Sequence, residues 1–271
     1  MAKTILITGC SSGIGLATAK KCKEAGLRVF ATARAKEDLQ KLREIGFEAF
    51  RLELKDPDSI DTTVRKILER SHIDILFNNA AYGQPGALED LSLEALQEQF
   101  SVNLFGWHYL TRRLIPHMRR RSSGLIVQHS SILGLVALRY RGAYNASKFA
   151  LEGYTDTLRL ELAGSGIKVV TINTGPVTSN FRSNALRHFL RHIDIDKSFH
   201  KAAYEEELER LQSQKKVPFT LSSEEAARII LAILLHPDPK PRYYITKASV
   251  ILASLKRILP TALLDRVLLK I

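Results

Sequence analysis

Tyr144 and Lys148 stand four residues apart in the run Tyr144-Asn145-Ala146-Ser147-Lys148. Apolar residues recur after them at Ala150, Leu151, Tyr154, Leu158 and Leu162, the spacing of a helix. Residues at i and i+4 share one helix face, so a phenol and an ammonium are held side by side. A free tyrosine has a pKa of about 10 and is a poor acid or base near neutrality. A fixed positive charge beside it favours the phenolate and brings that pKa toward the working range. Many solvated helices carry the same pair, so its meaning depends on what other segments bring to it.

One such segment is Thr8-Gly9-Cys10-Ser11-Ser12-Gly13-Ile14-Gly15, which follows a strand pattern and opens a helical one. Glycine lets the backbone turn tightly and approach a pyrophosphate, whose charge the helix N-terminus favours. The spacing reads T-G-x-x-x-G-x-G rather than the common G-x-G-x-x-G. It assigns Gly9, Ser11, Ser12, Gly13, Ile14 and Gly15 to a dinucleotide. The second strand pattern ends Thr32-Ala33-Arg34. An acidic residue there would bind the ribose diol of NAD. Ala33 offers none and Arg34 can meet a 2′-phosphate, so NADP(H) is expected over NAD.

The elements that must position these groups alternate along the chain. Strand patterns fall at 4–8, 28–32, 48–52, 73–77, 125–128, 168–172 and 243–245. Helical patterns between them include 15–25, 36–45, 58–70, 93–119 and 144–162, with Pro116 expected to stop or kink the fourth. This rhythm predicts an α/β fold, a doubly wound parallel sheet of Rossmann type, as one domain over residues 1–271. Ligands of such sheets bind at the carboxyl ends of the strands. The pattern loosens over 180–218, a charged helical stretch after the sixth strand, and residues 248–271 form an amphipathic tail.

Composition narrows the class. The 271 residues are 45% hydrophobic and 25% charged, the balance of a globular chain with a core. Cys10 and Cys22 make no disulfide framework, and the opening residues read as a strand rather than a leader, so a cytoplasmic setting is expected. No apolar run is long enough to span a membrane. The net charge of +12 raises nucleic-acid binding, but the charges are scattered, and Arg119-Arg120-Arg121 lacks interleaved aromatics. No nucleic-acid partner is expected.

Taken together, these segments resemble the short-chain dehydrogenase/reductase family over nearly the whole chain. Thr8 through Gly15 matches its glycine turn, and Asn78-Asn79-Ala80-Ala81 is similar to its N-N-A-G segment. Asn103 lies in a V-N-x-x-G context, Ser131 in S-S-x-x-G, and Asn173-Thr174-Gly175-Pro176-Val177 resembles the N-P-G-P-V loop. The branch it looks most like holds steroid and retinoid dehydrogenases and bacterial NADP-dependent aldehyde reductases.

The resemblance implies roles. Tyr144 donates a proton, Lys148 holds the nicotinamide ribose, Ser131 hydrogen-bonds the substrate oxygen, and Asn103 anchors a water relaying protons to Lys148. Cofactor contacts implied beyond the turn are Glu53, Leu54, Asn79, Ala80, Ala81, Gly175, Val177 and Ser179. Four positions depart from the pattern: Ala81 for Gly, Glu53 for Asp, Thr174 for Pro, and Ser179 for Thr. None removes a reacting group. The family usually pairs its long helices, so a homo-oligomer is expected.

Ser131, Leu133, Tyr144, Phe181 and Leu186 are the substrate contacts expected, with Leu135, Val136, Leu138 and Phe189 extending an apolar wall. A lipophilic aldehyde, ketone or alcohol suits it; mutual packing of these side chains is the bland alternative. The tail carries Lys256, Arg257, Arg266 and Lys270 beside a Leu-rich stripe, which fits packing on the domain or a partner, or peripheral membrane contact. His188 and His192 have metal-ligand spacing. No acidic motif accompanies them in sequence and Arg187 and Arg191 crowd them, so an exposed helix face and no metal are expected. His129 is expected to turn away from the site. The rival to an NADP(H)-dependent oxidoreductase is a catalytically weak NADP(H)-binding sensor or scaffold. The joint presence of Ser131, Tyr144 and Lys148 weighs against it.

Overall fold

The computed structural model describes residues 2–213 and 217–271; residues 214–216 of the 180–218 segment lie outside them. Strands β1 (Thr4–Ile7), β2 (Arg28–Ala33), β3 (Glu48–Arg51), β4 (Ile75–Asn78), β5 (Gly124–Ser131), β6 (Ile167–Thr174) and β7 (Arg242–Tyr244) form one sheet. Its order is β3-β2-β1-β4-β5-β6-β7, and every pairing is parallel. The order reverses between β1 and β4, which opens a crevice at their carboxyl ends.

Alternation along the strands loads both faces. Ile5 and Ile7 of β1 point to one side, into a core with Cys22 of α1 (Gly13–Glu24), Leu39 and Leu42 of α2 (Lys36–Glu44), and Ile230 of α9 (Ser223–Leu235). Leu6 points to the other, with Ile60 of α3 (Pro57–Leu68), Trp107 and Leu110 of α5 (Gly106–Arg120), and Leu151 of α6 (Gly142–Glu161). Each such side chain contributes about 1.5–3 kcal/mol by leaving water.

The expected helix over 93–119 is interrupted elsewhere than foreseen. It splits into α4 (Leu93–Phe100), a π-helical turn at Ser101–Phe105, and α5, which runs straight through Pro116. Pro116 lies on the exposed side, where water can satisfy the carbonyl it frees. The π turn bulges because Asn103, fully buried, holds the backbone of Tyr82.

The stretch after β6 folds as α7 (Phe181–His192) and α8 (Lys201–Gln212), joined around Phe189 and Tyr204. The tail forms α10 (Lys247–Ile258) and α11 (Thr261–Leu268), broken at Pro260. Ala253 and Leu264 bury against Ile132 and Val136, so one face of the tail packs on the domain. Among the described residues no helix is long and apolar enough to cross a membrane.

Candidate active site

The turn between β1 and α1 is built for a ligand. Gly9 and Gly13 take positive φ, 72° and 57°. A Cβ on Gly15 would sit 2.1 Å from the Gly9 carbonyl, so only glycine allows this approach. Ser12 caps α1 by position but makes no side-chain cap bond, which leaves the first helical N–H groups facing outward. Ser11 is exposed and Ser12 half-buried beside them. These features fit a dinucleotide pyrophosphate. The Thr8 hydroxyl ties the turn to the end of β4, accepting from the N–H groups of Asn79 and Ala80 at 2.8 and 2.9 Å. Ala81 escapes the strain its missing glycine threatened, because its φ is not positive.

Arg34 leaves the end of β2 exposed, with no ion pair among the described residues. Glu53 and Leu54 follow β3. The Leu54 carbonyl lies where a Cβ on Gly106 would come within 2.3 Å, so that loop presses directly on α5.

Ser131 ends β5, and Tyr144 and Lys148 lie in the first turns of α6. The Ser131 hydroxyl interacts with the half-buried phenol of Tyr144 and accepts from the N–H of Leu133 at 3.1 Å. Lys148 is 1% exposed. Its Nζ donates to the His129 carbonyl at 2.8 Å and sits 4.5 Å from the Trp107 ring centroid and 5.8 Å from that of Tyr144.

The expected electrostatics are reversed in the protein alone. Burial pushes the Tyr144 phenol up to about 12, with Ser131 opposing it. Burial also pulls Lys148 down to about 7, with Glu152 pulling it back up. Desolvation disfavours both charged forms and outweighs any attraction the pair would gain.

The Asn103 side chain braces the loop after β4. Its Oδ1 accepts from Tyr82 N at 3.2 Å, and its Nδ2 donates to Tyr82 O at 3.0 Å and Ser147 Oγ at 3.2 Å. Its amide is fully used holding the loop after β4 against α6.

The loop after β6 is held at both flanks. Val177 bridges Leu221, and a Cβ on Gly175 would meet the Thr246 hydroxyl at 2.2 Å. Ser179 packs against Gly13 and accepts from Phe181 N at 3.3 Å. Phe181 lies edge-on to Tyr144, with ring centroids 5.4 Å apart. Leu186 packs between α7 and α8, whereas Leu133, Leu135 and Val136 pack with the tail and Phe189 with Tyr204.

Two sets of residues were not foreseen. His129 is not turned away. Its ring bridges Asn79 Oδ1 at 2.9 Å and Thr174 Oγ1 at 2.7 Å, joining two loops of the site beneath Lys148. Burial first, then Lys148, holds it down near 3, so it is neutral. Its Nδ1–H donates to the Asn79 carbonyl oxygen and its Nε2 accepts from the Thr174 hydroxyl. The second set is Asn173, whose Nδ2 donates to Ser131 O at 3.1 Å and Glu152 Oε1 at 2.6 Å, with Arg242 completing the pair to Glu152. Nothing in linear spacing links these positions; only strand pairing does.

His188 and His192 are likewise not on an exposed face. Both are half-buried, their rings stack at 6.3 Å, and Glu98 of α4 faces them.

Comparison with known proteins agrees with this geometry. An uncharacterized oxidoreductase YbbO of Escherichia coli (strain K12) is 36% identical over 99% of this chain and 94% of its own. Human 17-beta-hydroxysteroid dehydrogenase type 1 is 32% identical over 91% of this chain and 79% of its own. Among solved structures, a Burkholderia phymatum short chain dehydrogenase/reductase in complex with NAD matches with TM-score 0.77 at 25% identity, covering 94% and 92%. An actinorhodin polyketide ketoreductase with NADPH matches with TM-score 0.72 at 29% identity, covering 90% and 95%. The family model for short chain dehydrogenase matches residues 3–188, and the chain belongs to that family of oxidoreductases.

Proposed function

We propose that the protein moves hydride between NADP(H) and the carbonyl or alcohol carbon of an apolar aldehyde, ketone, steroid-like or retinoid-like substrate. The observation that carries this reading is the meeting of Ser131, Tyr144 and buried Lys148 beside the glycine turn. A nicotinamide dinucleotide, when bound, supplies the hydride and, once oxidised, a positive ring near the phenol.

The chain's own residues do the rest. Ser131 donates to the substrate oxygen and fixes its angle. Tyr144 gives its proton to that oxygen as negative charge develops, and takes it back in the oxidative direction. Lys148, poised near neutrality, exchanges a proton at Nζ and steadies the phenolate as it forms. The first N–H groups of α1 hold the pyrophosphate, and Arg34 meets the 2′-phosphate. Asn103 acts as a positioning residue through Tyr82 and Ser147. Phe181, edge-on to Tyr144, excludes water from the reacting carbon. The hydroxysteroid in the name of the human relative supports a lipophilic substrate. Two buried free cysteines fit a cytoplasmic enzyme. Exposed Val250, Ile251 and Ile258 beside Lys256 and Arg257 suit peripheral contact with an anionic membrane.

The test is NADPH oxidation with a panel of apolar aldehydes and ketones. Tyr144→Phe should lower kcat by about 10²–10⁴ while leaving NADPH affinity intact. Tight NADPH binding with turnover no faster than this variant would favour the sensor instead.

A further inference from the structure

Helix α7 carries His188 and His192 one turn apart, and α4 brings Glu98 to them. One ligand atom from each lies within 4.8 Å of the other two. Three polar atoms here are buried without a hydrogen-bond partner among the described residues: His188 Nδ1, His192 Nε2 and the Tyr82 hydroxyl. Tyr82 is only 8% exposed, its ring stacks on His188 at 4.1 Å, and its phenol feels the charge of Glu98. Buried polar groups normally find partners, so two imidazole nitrogens left unpartnered beside one carboxylate, with a third such group on the neighbouring Tyr82, call for a missing ligand.

We propose that Glu98, His188 and His192 bind a divalent transition metal of the Zn²⁺ class. Two imidazoles and one carboxylate form a recognised zinc donor set that leaves a fourth position for water. Tetrahedral ligands at zinc distances lie roughly 3.4 Å apart, so side-chain rotation of about 1 Å closes the site.

The surrounding charges are compatible. Lys55 occupies only one oxygen of Glu98, Oε1, at 2.6 Å; the other, Oε2, faces His192 Nε2 at 3.7 Å. Lys55 therefore orients the carboxylate as an outer partner of the ligand. Arg34 and Arg191 are the other cations felt here.

The site lies about 10 Å along α7 from Phe181, which covers Tyr144. Metal binding would pin α7 to α4 and fix the wall of the substrate pocket without touching the reacting atoms. This inference does not rest on the proposed activity, and zinc retention tests it alone.

The experiment loads full-length protein with Zn²⁺, removes free metal by gel filtration, and measures bound zinc and, by chelator competition, its affinity. One equivalent should stay bound, and His192→Ala should weaken it at least about tenfold. Glu98→Gln should do the same, which keeps the test open should the histidine variant misfold. Co²⁺ in place of zinc should give the strong visible absorption of a four-coordinate site, lost in both variants. Protein that retains no zinc, or zinc indifferent to both substitutions, overturns the proposal.

Discussion

Lys148 is the residue where burial and charge conflict most directly. In the unfolded chain it titrates as an ordinary lysine, near 10.4, but in the folded protein near 7. Between those values the unfolded chain binds more protons, so folding gains stability as pH rises. Below about 7 the folded protein carries the full cost of the buried ammonium. Relative to Lys148→Met, the cofactor-free protein should therefore gain on the order of 2 kcal/mol between about pH 7 and pH 9. Denaturant titrations at the two pH values check it; the raised thiols of Cys10 and Cys22 cancel in the comparison. At Arg34 the consequence is specificity. Arg34→Ala should raise KM for NADPH by about tenfold or more, a charge-assisted hydrogen bond's worth, and leave that for NADH unchanged. Steady-state kinetics with the two cofactors decides it. Tyr144, Lys148 and the glycines could be read from the chain because their chemistry lies in short spacings. The direction of their pKa shifts could not, because desolvation depends on what other strands and helices pile over them.

Elements set those positions by contact rather than by propensity. The β1–α1 turn is closed so tightly that Gly15→Ala would drive its methyl into the Gly9 carbonyl and the Asn79 amide. That variant should lose NADPH binding in a fluorescence titration by at least about a hundredfold, well beyond a helix-propensity effect, which favours alanine. The seven strands and their flanking helices were legible, since alternation and helical spacing survive in single segments. The break in 93–119 was misplaced: proline is a visible signal, whereas the bulge at Ser101–Phe105 arises from a buried amide gripping Tyr82 across space. His129 and the Asn173–Glu152–Arg242 chain were hidden for the same reason, as were the partners of His188 and His192. Each joins residues that only the folded sheet brings together.

For the whole molecule, the turn leading into α5 and the outward face of α6 remain apolar in part. Phe105, at the end of the π-helical turn that leads into α5, is 57% exposed, and Phe149 and Leu160 of α6 are 40% and 68% exposed. If these faces pair copies of the chain, sedimentation should report a dimer or tetramer, and Phe105→Glu with Leu160→Glu should shift it to monomer with the melting temperature little changed. The tail joins this picture from the other end: Thr246 and Ser249 brace Gly175, so the last helices are mechanically continuous with the loop after β6. The π-helical turn at Ser101–Phe105 has a consequence for how the chain tolerates indels. It holds one residue more than an α-helical turn would use. Deleting a single residue there would restore regular winding and leave α5 in phase, because the bulge already absorbs the extra residue. Trp107 would stay beside Lys148 and Ala80, and Pro116 would still point to water. Length in this one turn is thus decoupled from the facing of α5, and what a shorter chain would give up is the grip of Asn103 on the Tyr82 backbone.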